Sequence, residues 1–300
     1  MKSVKNSLLM GHLCALFSVT AWGTSFLVSK ELMTKISPVP LMWIRFVIAY
    51  LALWIVCPKW RVCWKEEMQF LLLALVGNTL YFLAENRALR LTQASNVSIL
   101  VSTAPILSVL VMRLFRQNER FSMQQLTGFG IAFLGVFLVV FNGVFVLKLN
   151  PMGDLLALCA ALLWAAYGLV AKRSLQEFDS FFVTRKMMFY GIVSSAPLLL
   201  LRSESLLRLS ALRVSDYFNL LYLGVVCSAI CYVLWNRAIW QLGTLKTNLY
   251  VYAVPLVTML ASALFMKERI TLVGFWGIAL VVGGMVLSSL ELHRRKTSGL

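Results

Sequence analysis

The amino-acid sequence contains two related copies of one segment. Residues 81–105 read YFLAENRALRLTQASNVSILVSTAP, and residues 231–255 read CYVLWNRAIWQLGTLKTNLYVYAVP. The tripeptide Asn-Arg-Ala at 86–88 returns at 236–238, and Pro105 returns as Pro255, both 150 positions later. Nearer the start of each copy the offset is 142, where Trp22 corresponds to Trp164. The chain is therefore expected to fold as two similar halves, residues 1–147 and 148–300.

The composition excludes a water-soluble fold. Of the 300 residues, 60% are hydrophobic and only 13% are charged, and the mean hydropathy is +0.81. A soluble chain of this length cannot bury that much apolar surface, so the sequence predicts an all-α polytopic membrane protein embedded in the lipid bilayer. The net charge of +16 could suggest a nucleic-acid partner. The basic residues, however, lie in short loops between apolar runs, which is typical of topology-determining charge, so no nucleic-acid partner is expected.

The sequence lacks the common motifs of metal and nucleotide chemistry. It has no H-E-x-x-H, no G-x-x-x-x-G-K-[ST] and no G-x-S-x-G, and its six cysteines include no C-x-x-C pair. A metal hydrolase or an ATP-driven pump therefore has no support from the sequence, and neither a metal nor a cofactor is expected.

Ten apolar segments are long enough to cross a bilayer, whose hydrocarbon core of about 30 Å needs about 20 helical residues. They fall near residues 8–29, 38–57, 69–89, 94–115, 124–143, 153–172, 182–201, 216–238, 246–266 and 272–290. With the N terminus inside, 17 lysines and arginines fall on the inner side and 10 on the outer side, which favours cytoplasmic termini. Because each half has an odd number of spans, we expect two inverted five-helix repeats with a cavity between them, an arrangement common in secondary transporters.

Several weak motifs recur in a fixed order along the chain. They are Trp22-Gly23 with Lys30, Pro40 with Arg45-Phe46, Pro105, Glu119 with Gly128 and Gly135, then Gly153-Asp154, Trp164, Pro255, Glu268 and Gly277. Their order, spacing and duplication resemble the EamA-type branch of the drug/metabolite transporter superfamily across essentially the whole chain. The resemblance implies ten helices, a central cavity, movement (often export) of small organic metabolites, and a multi-pass protein of the plasma (inner) membrane.

Polar and aromatic residues recur at helical spacing on matching faces of the two halves, as a two-fold cavity would require. The candidate substrate-binding residues are Trp22, Ser25, Asn78, Glu85, Ser102, Trp164, Tyr167, Tyr232, Trp235, Asn248 and Tyr252. The alternative for each residue is structural. Small hydroxyl residues in membrane helices often serve as packing contacts, and Trp and Tyr often anchor helix ends at the interface.

Two ionisable side chains are predicted to lie inside the bilayer. Arg45 comes about 7 residues into the second span and Glu85 about 5 residues before the end of the third, so both lie roughly 8–10 Å below the outer interface. A charge at this depth needs a partner or water. One hypothesis is a structural Arg45–Glu85 ion pair between two helices. The other is that Glu85 faces the cavity as a counter-ion or proton carrier.

Prolines and glycines mark places where the helices are expected to bend or to approach one another. Pro105 and Pro255 each remove a backbone hydrogen bond in mid-helix, which produces either a static kink or a pair of hinges for alternating access. The glycines of the fifth and tenth spans permit close contact between helix backbones. That contact could form within one chain or between protomers, and the oligomeric state stays open.

These observations favour a secondary transporter of a small organic metabolite. The aromatic candidates could hold a cation or an aromatic ring, so an amino acid or an organic amine is the expected class of small-molecule substrate. A carrier or flippase of lipid-linked substrates is an alternative. A membrane-embedded enzyme would need a convergent acid, base or metal cluster, for which the sequence gives little support, and a non-transporting scaffold would show no substrate-dependent flux.

Overall fold

The computed structural model describes residues 2–58, 61–62, 64–91, 94–115, 122–141, 150–201, 212–266 and 270–298, and no β-strand occurs among them. The α-helices are α1 (Lys2–Leu32), α2 (Pro38–Val56), α3 (Trp64–Ala74), α4 (Leu80–Leu91), α5 (Ala94–Val101), α6 (Ala104–Leu114), α7 (Met123–Phe141), α8 (Pro151–Glu177), α9 (Ser180–Leu201), α10 (Val214–Leu221), α11 (Cys231–Leu242), α12 (Thr244–Leu249), α13 (Ala253–Met266) and α14 (Leu272–Ser298). The predicted all-α class is confirmed.

Each apolar segment picked out from the sequence is mostly helical in the part that the structure describes. Among the described residues, six helical stretches are long and apolar enough to cross a membrane: Ser7–Ser29, Pro38–Val56, Trp64–Leu91, Met123–Phe141, Pro151–Glu177 and Val214–Leu242. Ile99–Leu114 and Leu272–Ser288 are shorter apolar helices. These stretches are those of a polytopic membrane protein, while the number of ten crossings and the inverted arrangement stay predictions.

Irregular helix occurs at related positions of the two halves. A π-helical segment, Leu75–Thr79, joins α3 to α4, and the amide of Leu80 donates to the carbonyl of Leu75. A longer π-helical segment, Tyr222–Ile230, joins α10 to α11. At the offset of 150, residues 75–79 correspond to 225–229, inside the second segment. π-Helical turns are rare in proteins, and those that occur are often found at functional sites. The two π segments therefore make the surrounding residues candidates for a functional site.

Both mid-helix prolines follow a break in the helix. Before Pro105, α5 ends at Val101 and α6 begins at Ala104, while before Pro255 the 3₁₀ turn Tyr250–Tyr252 separates α12 from α13. Proline has no amide hydrogen, and its ring clashes with the carbonyl four residues earlier, here Val101 or Val251, so a continuous α-helix is disfavoured at both places. The role of the two prolines as hinges stays a prediction.

Helices from the two halves pack against one another. α1 packs against α11 and α13, and α8 packs against α4, α5 and α6. α2 contacts α9 and the π segment Tyr222–Ile230, while α9 contacts α3 and the π segment Leu75–Thr79. The chain therefore folds as one unit in which the helices of each half complete the packing of the other.

Glycines bring α7 and α14 into backbone contact. A Cβ atom added to Gly135 would lie 2.7 Å from the carbonyl oxygen of Gly277, and one added to Gly128 would lie 2.8 Å from the carbonyl oxygen of Gly284. Only glycine allows so close an approach, as is common between membrane helices. The sequence left open whether this contact forms within the chain or between protomers, and the structure shows it within the chain.

Part of the sequence pattern lies outside the described residues. Glu119 and Glu268 do so, as does the proposed boundary between residues 147 and 148. The division into two halves stays a prediction.

Candidate functional site

Five of the predicted site residues meet in one group of rings, here named the aromatic cluster: Trp22 of α1, Trp164 and Tyr167 of α8, and Tyr232 and Trp235 of α11. The ring centroid of Trp22 lies 5.4 Å from that of Trp164, 5.6 Å from that of Tyr232 and 5.0 Å from that of Trp235. The ring of Tyr167 lies 5.0 Å from Trp164 and 6.0 Å from Tyr232. The cluster joins α1 of the first half to α8 and α11 of the second.

The rings of the cluster occupy the place where the sequence predicted a cavity between the halves. Trp22 meets Trp164 and Tyr232 edge to face, at interplanar angles of 85° and 67°, and Trp235 is fully buried. Each buried aromatic ring covers about 150–250 Å² of surface, so rings packed together in this way fill space between the helices. A shallow open groove lies elsewhere, between the start of α2 and the end of α4, and its lining contains no member of the cluster.

Two members of the cluster donate to backbone carbonyls of the π-helical segments. Trp22 Nε1 donates to the carbonyl of Cys227 at 2.9 Å, and the hydroxyl of Tyr232 donates to the carbonyl of Gly77 at 3.1 Å. The hydroxyl of Tyr167 donates to Asn236 Oδ1 at 2.7 Å. Three rings of the cluster are therefore fixed by hydrogen bonds as well as by packing.

The indole nitrogens of Trp164 and Trp235 are buried, and neither has a hydrogen-bond partner among the described residues. An indole N–H can only donate, and a buried donor without an acceptor costs about 1–3 kcal/mol. The two indole rings lie 5.9 Å apart. The cluster therefore offers two donors to a group that brings its own acceptor oxygens.

Sequence reasoning missed Tyr81, which connects the cluster to the intramembrane carboxylate. The ring of Tyr81 lies 5.3 Å from that of Trp164, and its hydroxyl donates to Glu85 Oε1 at 2.8 Å. Tyr81 comes four residues before Glu85, so both lie on one face of α4. The four-residue spacing could have identified Tyr81 as a partner of Glu85. Comparison of the two halves did not point to Tyr81, because the related position of the second half is Cys231.

Arg45 and Glu85 are both buried, with 7% and 6% of their surface exposed, but each has another partner. Arg45 Nε donates to the hydroxyl of Ser228 at 3.3 Å, and its guanidinium carbon lies 5.1 Å from the ring centroid of Phe82. Both charged residues are described, and no hydrogen bond or ion pair joins them in this conformation. In this conformation the donor to Glu85 is Tyr81, one helical turn away, and the predicted direct pair with Arg45 is not seen.

Ser25 and Asn78 lie beside the cluster without joining it. The hydroxyl of Ser25 donates to the backbone carbonyl of Trp22 in its own helix, at 2.8 Å. Asn78, in the first π-helical segment, has no exposed surface, and its Nδ2 lies 3.4 Å from the carbonyl of Met187 on α9. Both side chains therefore contact helices in this conformation, in agreement with the structural alternative for small polar residues.

Asn248, Ser102 and Tyr252 flank the two proline breaks. Asn248 Nδ2 donates to the hydroxyl of Ser108 at 2.6 Å, so it joins α12 to α6. Tyr252 is fully buried in a group that contains Phe129 of α7, and its hydroxyl has no partner among the described residues. Ser102 is also buried. The structure does not bring Asn248 or Tyr252 into the aromatic cluster.

Two ion pairs join helices near their ends, and sequence reasoning missed both. Lys186 Nζ lies 2.5 Å from Glu67 Oε1, and the hydroxyl of Tyr190 donates to the other oxygen of Glu67 at 2.6 Å. Lys35 Nζ lies 2.7 Å from Asp216 Oδ1. Glu67 and Asp216 are 149 positions apart, each in the first turn of its helix, so the repeat itself carried the signal. Elsewhere in the described part of the chain, no cluster of His, Cys, Asp and Glu is suited to holding a metal ion.

Comparison with known proteins gives consistent results across most of the chain. The model of the EamA-like transporter family matches residues 9–141 and again residues 151–290. A protein of Archaeoglobus fulgidus named "Uncharacterized transporter" is 26% identical over 289 residues, which cover 94% of this chain and 98% of the relative. An Escherichia coli protein named "Probable amino-acid metabolite efflux pump" is 24% identical over 292 residues, covering 94% and 95%.

A solved crystal structure has a similar fold. It superposes with a TM-score of 0.77 at 19% sequence identity, and the match covers 97% of this chain and 98% of the other. At that identity, the likeness concerns the arrangement of the helices alone.

Proposed function

Because the chain belongs to the EamA-like transporter family, we propose that it is a secondary transporter that moves a small organic metabolite across the plasma membrane by alternating access. The observation that carries the proposal is the aromatic cluster, which lies between helices of both halves and contains two buried indole donors, those of Trp164 and Trp235, without partners among the described residues. Many secondary transporters bind substrate where their two repeats meet.

Ten membrane-spanning helices in two inverted repeats are part of the proposal, and the pattern of helix contacts supports it. In the repeat, α1 corresponds to α8, α4 to α11 and α6 to α13. The packing of α1 on α11 and α13 therefore has its counterpart in the packing of α8 on α4 and α6. Likewise, the contact of α2 with the second π segment has its counterpart in the contact of α9 with the first. Contacts that map onto one another in this way are those expected around a pseudo-two-fold axis.

Individual polar contacts follow the same correspondence. Ser228 accepts from Arg45, while Asn78 donates to the carbonyl of Met187. Asn78 and Ser228 are 150 positions apart, and Arg45 and Met187 are 142 positions apart, the two offsets found in the sequence. Ten spans would place both termini on one side of the membrane, and the excess of Lys and Arg on that side leads us to propose that it is the cytoplasm.

An amino acid or an organic amine is the proposed substrate, and export is the proposed direction. The ring faces of Trp22 and Trp164 suit a cation or an apolar side chain, Glu85 suits an ammonium group, and the unpaired indole donors suit a carboxylate. The name of the Escherichia coli relative supports the same class and direction. Glu85 would also carry the coupling proton.

The test is flux through purified protein in liposomes loaded in turn with amino acids, amines, sugars, nucleosides and organic acids. We expect efflux of one amino-acid or amine class. Trp164→Phe or Trp235→Phe should lower its rate about tenfold, because a smaller aromatic ring remains while a hydrogen bond to a charged group, worth about 1.5–3 kcal/mol, is lost. Trp240→Phe is the matched control, because Trp240 is 63% exposed on the outer surface of α11. Absence of flux for every class would overturn the proposal, and lipid-linked substrates would then be tested.

A further inference from the structure

Two backbone carbonyls at repeat-related positions accept hydrogen bonds from the aromatic cluster. Gly77 lies in the π segment Leu75–Thr79 and Cys227 in the π segment Tyr222–Ile230, 150 positions apart. Cys227 accepts from Trp22 at 2.9 Å, and Gly77 accepts from Tyr232 at 3.1 Å. Side-chain donors can reach carbonyls at such places because a π turn inserts a residue and disturbs the regular backbone ladder.

The two donors are not equivalent in the repeat, although the two acceptors are. The counterpart of Trp22 at the offset of 142 is Trp164, whose indole nitrogen has no partner among the described residues. The counterpart of Tyr232 at the offset of 150 is Phe82, which has no hydroxyl. By analogy with the bond from Trp22 to Cys227, the repeat predicts a bond from Trp164 to the carbonyl of Gly77. In this conformation, however, that carbonyl accepts from Tyr232.

Trp164 lies beside the carbonyl that its repeat position assigns to it. Its ring centroid lies 6.1 Å from that of Tyr232, the present donor to Gly77. Tyr167, one turn further along α8, packs so closely on Gly77 that its ring leaves no room for a Cβ atom there. α8 thus already contacts the first π segment, and the required movement of the indole is local.

We propose that transport exchanges these hydrogen bonds between the halves. In the alternative end state, Trp164 donates to the carbonyl of Gly77 and Trp22 releases the carbonyl of Cys227. The reason is the inverted repeat: when two related halves exchange conformations, a bond made by one half in one state is made by the other half in the opposite state. The inference rests on the proposed function because it requires two end states.

The test compares variants that keep an aromatic ring and lose one donor. Spin labels at the exposed pairs Glu31–Val214 and Lys65–Phe181, in a background without the six native cysteines, report the fraction of molecules with the helix-end distances of this structure. Trp22→Phe and Tyr232→Phe each remove a bond made in this state. The ratio of molecules in this state to molecules in the alternative state should therefore fall about fivefold, which is the effect of losing one net hydrogen bond.

Trp164→Phe should raise the fraction of molecules in the present state, because it removes a bond made only in the alternative state. The double variant Trp22→Phe/Trp164→Phe should therefore show the wild-type distribution of distances. This restoration can be measured even if nearly all wild-type molecules are in the present state. Trp240→Phe is again the control: it removes an exposed indole of α11 that lies outside the cluster and takes part in neither bond, and it should shift nothing. Melting temperatures verify that each variant is folded.

The exchange is overturned if Trp22→Phe causes no shift, or if Trp164→Phe shifts the populations in the same direction as Trp22→Phe. Flux measured on the same liposomes separates this failure from failure of the proposed function. Flux in the wild type with unchanged label distances in every variant rejects the exchange alone. Absence of wild-type flux for all compounds rejects the transport proposal, while the distances still report whether two states exchange.

Discussion

Glu85 is a buried carboxylate whose hydrogen-bond donor is a neutral phenol rather than a cation. Its bond comes from Tyr81 at 2.8 Å, while Arg45, the cation predicted from the sequence to bind it, donates to Ser228 instead. A carboxylate buried in a membrane protein is costly unless a proton, a cation or water compensates its charge. Under the proposed function, a proton or the ammonium group of the substrate would supply this compensation.

Replacing Glu85 with Gln is expected to remove the pH dependence of transport and to slow flux about tenfold or more, because a charged hydrogen-bond acceptor is lost. The melting temperature should change little, since the amide oxygen of Gln still accepts from Tyr81. The measurement is flux at a fixed substrate gradient as a function of pH. Tyr81→Phe is the matched control and should keep the pH dependence because it keeps the carboxylate. A normal pH profile in Glu85→Gln would exclude proton coupling here, and loss of folded protein would indicate a structural role.

At the scale of helices, the sequence predicted well where the helices lie along the chain, but it predicted poorly where they depart from regular α-helix. Apolar runs located the helices because hydrophobic length is set by the bilayer. Trp164 and Tyr167, assigned to one face of the regular helix α8, both lie in the cluster. Asn78 lies in a π segment, and Asn248 and Tyr252 lie around a 3₁₀ turn, and these three side chains lie outside the cluster. The number of residues per turn changes in such segments, so a 3.6-residue period does not describe them. Pro105 and Pro255 signalled the breaks, whereas no residue type signals a π segment.

The contact between α7 and α14 gives a prediction at the same scale. Gly135→Ala should lower stability by about 1–3 kcal/mol, because its Cβ atom would meet the backbone of α14 and overpacking is not relieved by a rotamer change. Gly130→Ala, on the same helix but with no atom within 4 Å of the added carbon, should be neutral or stabilising by about 0.5–1 kcal/mol. Thermal unfolding in detergent measures both, and equal melting temperatures for the two variants would contradict the backbone contact.

At the scale of the whole molecule, the two ion pairs indicate how the halves are related. Glu67 pairs with Lys186, and Asp216, at the related position of the second half, pairs with Lys35. In an inverted repeat, equivalent positions lie on opposite faces of the membrane, so each face would have one such pair. An ion pair that links helix ends on one face must break or move before that face opens.

Equivalent loops should accordingly be reached from opposite sides. Thr34 lies in the connection between α1 and α2, and Asp179 in the connection between α8 and α9; both are exposed. In a cysteine-free background, we expect Thr34→Cys to react with a membrane-impermeant maleimide on intact cells, and Asp179→Cys to react only after permeabilisation. Labelling of both from the same side would contradict the inverted arrangement, and the reversed pattern would contradict the placement of both termini in the cytoplasm.

The glycine contact between α7 and α14 also bears on the origin of the chain. Gly128 and Gly277 are related by 149 positions, as are Gly135 and Gly284, yet each glycine meets the counterpart of the other: Gly128 meets Gly284, and Gly135 meets Gly277. Reciprocal contact of this kind is the signature of an interface between two identical subunits about a two-fold axis. A five-helix ancestor with these glycines would have bound a second copy of itself through them, and gene fusion would have preserved that dimer within one polypeptide.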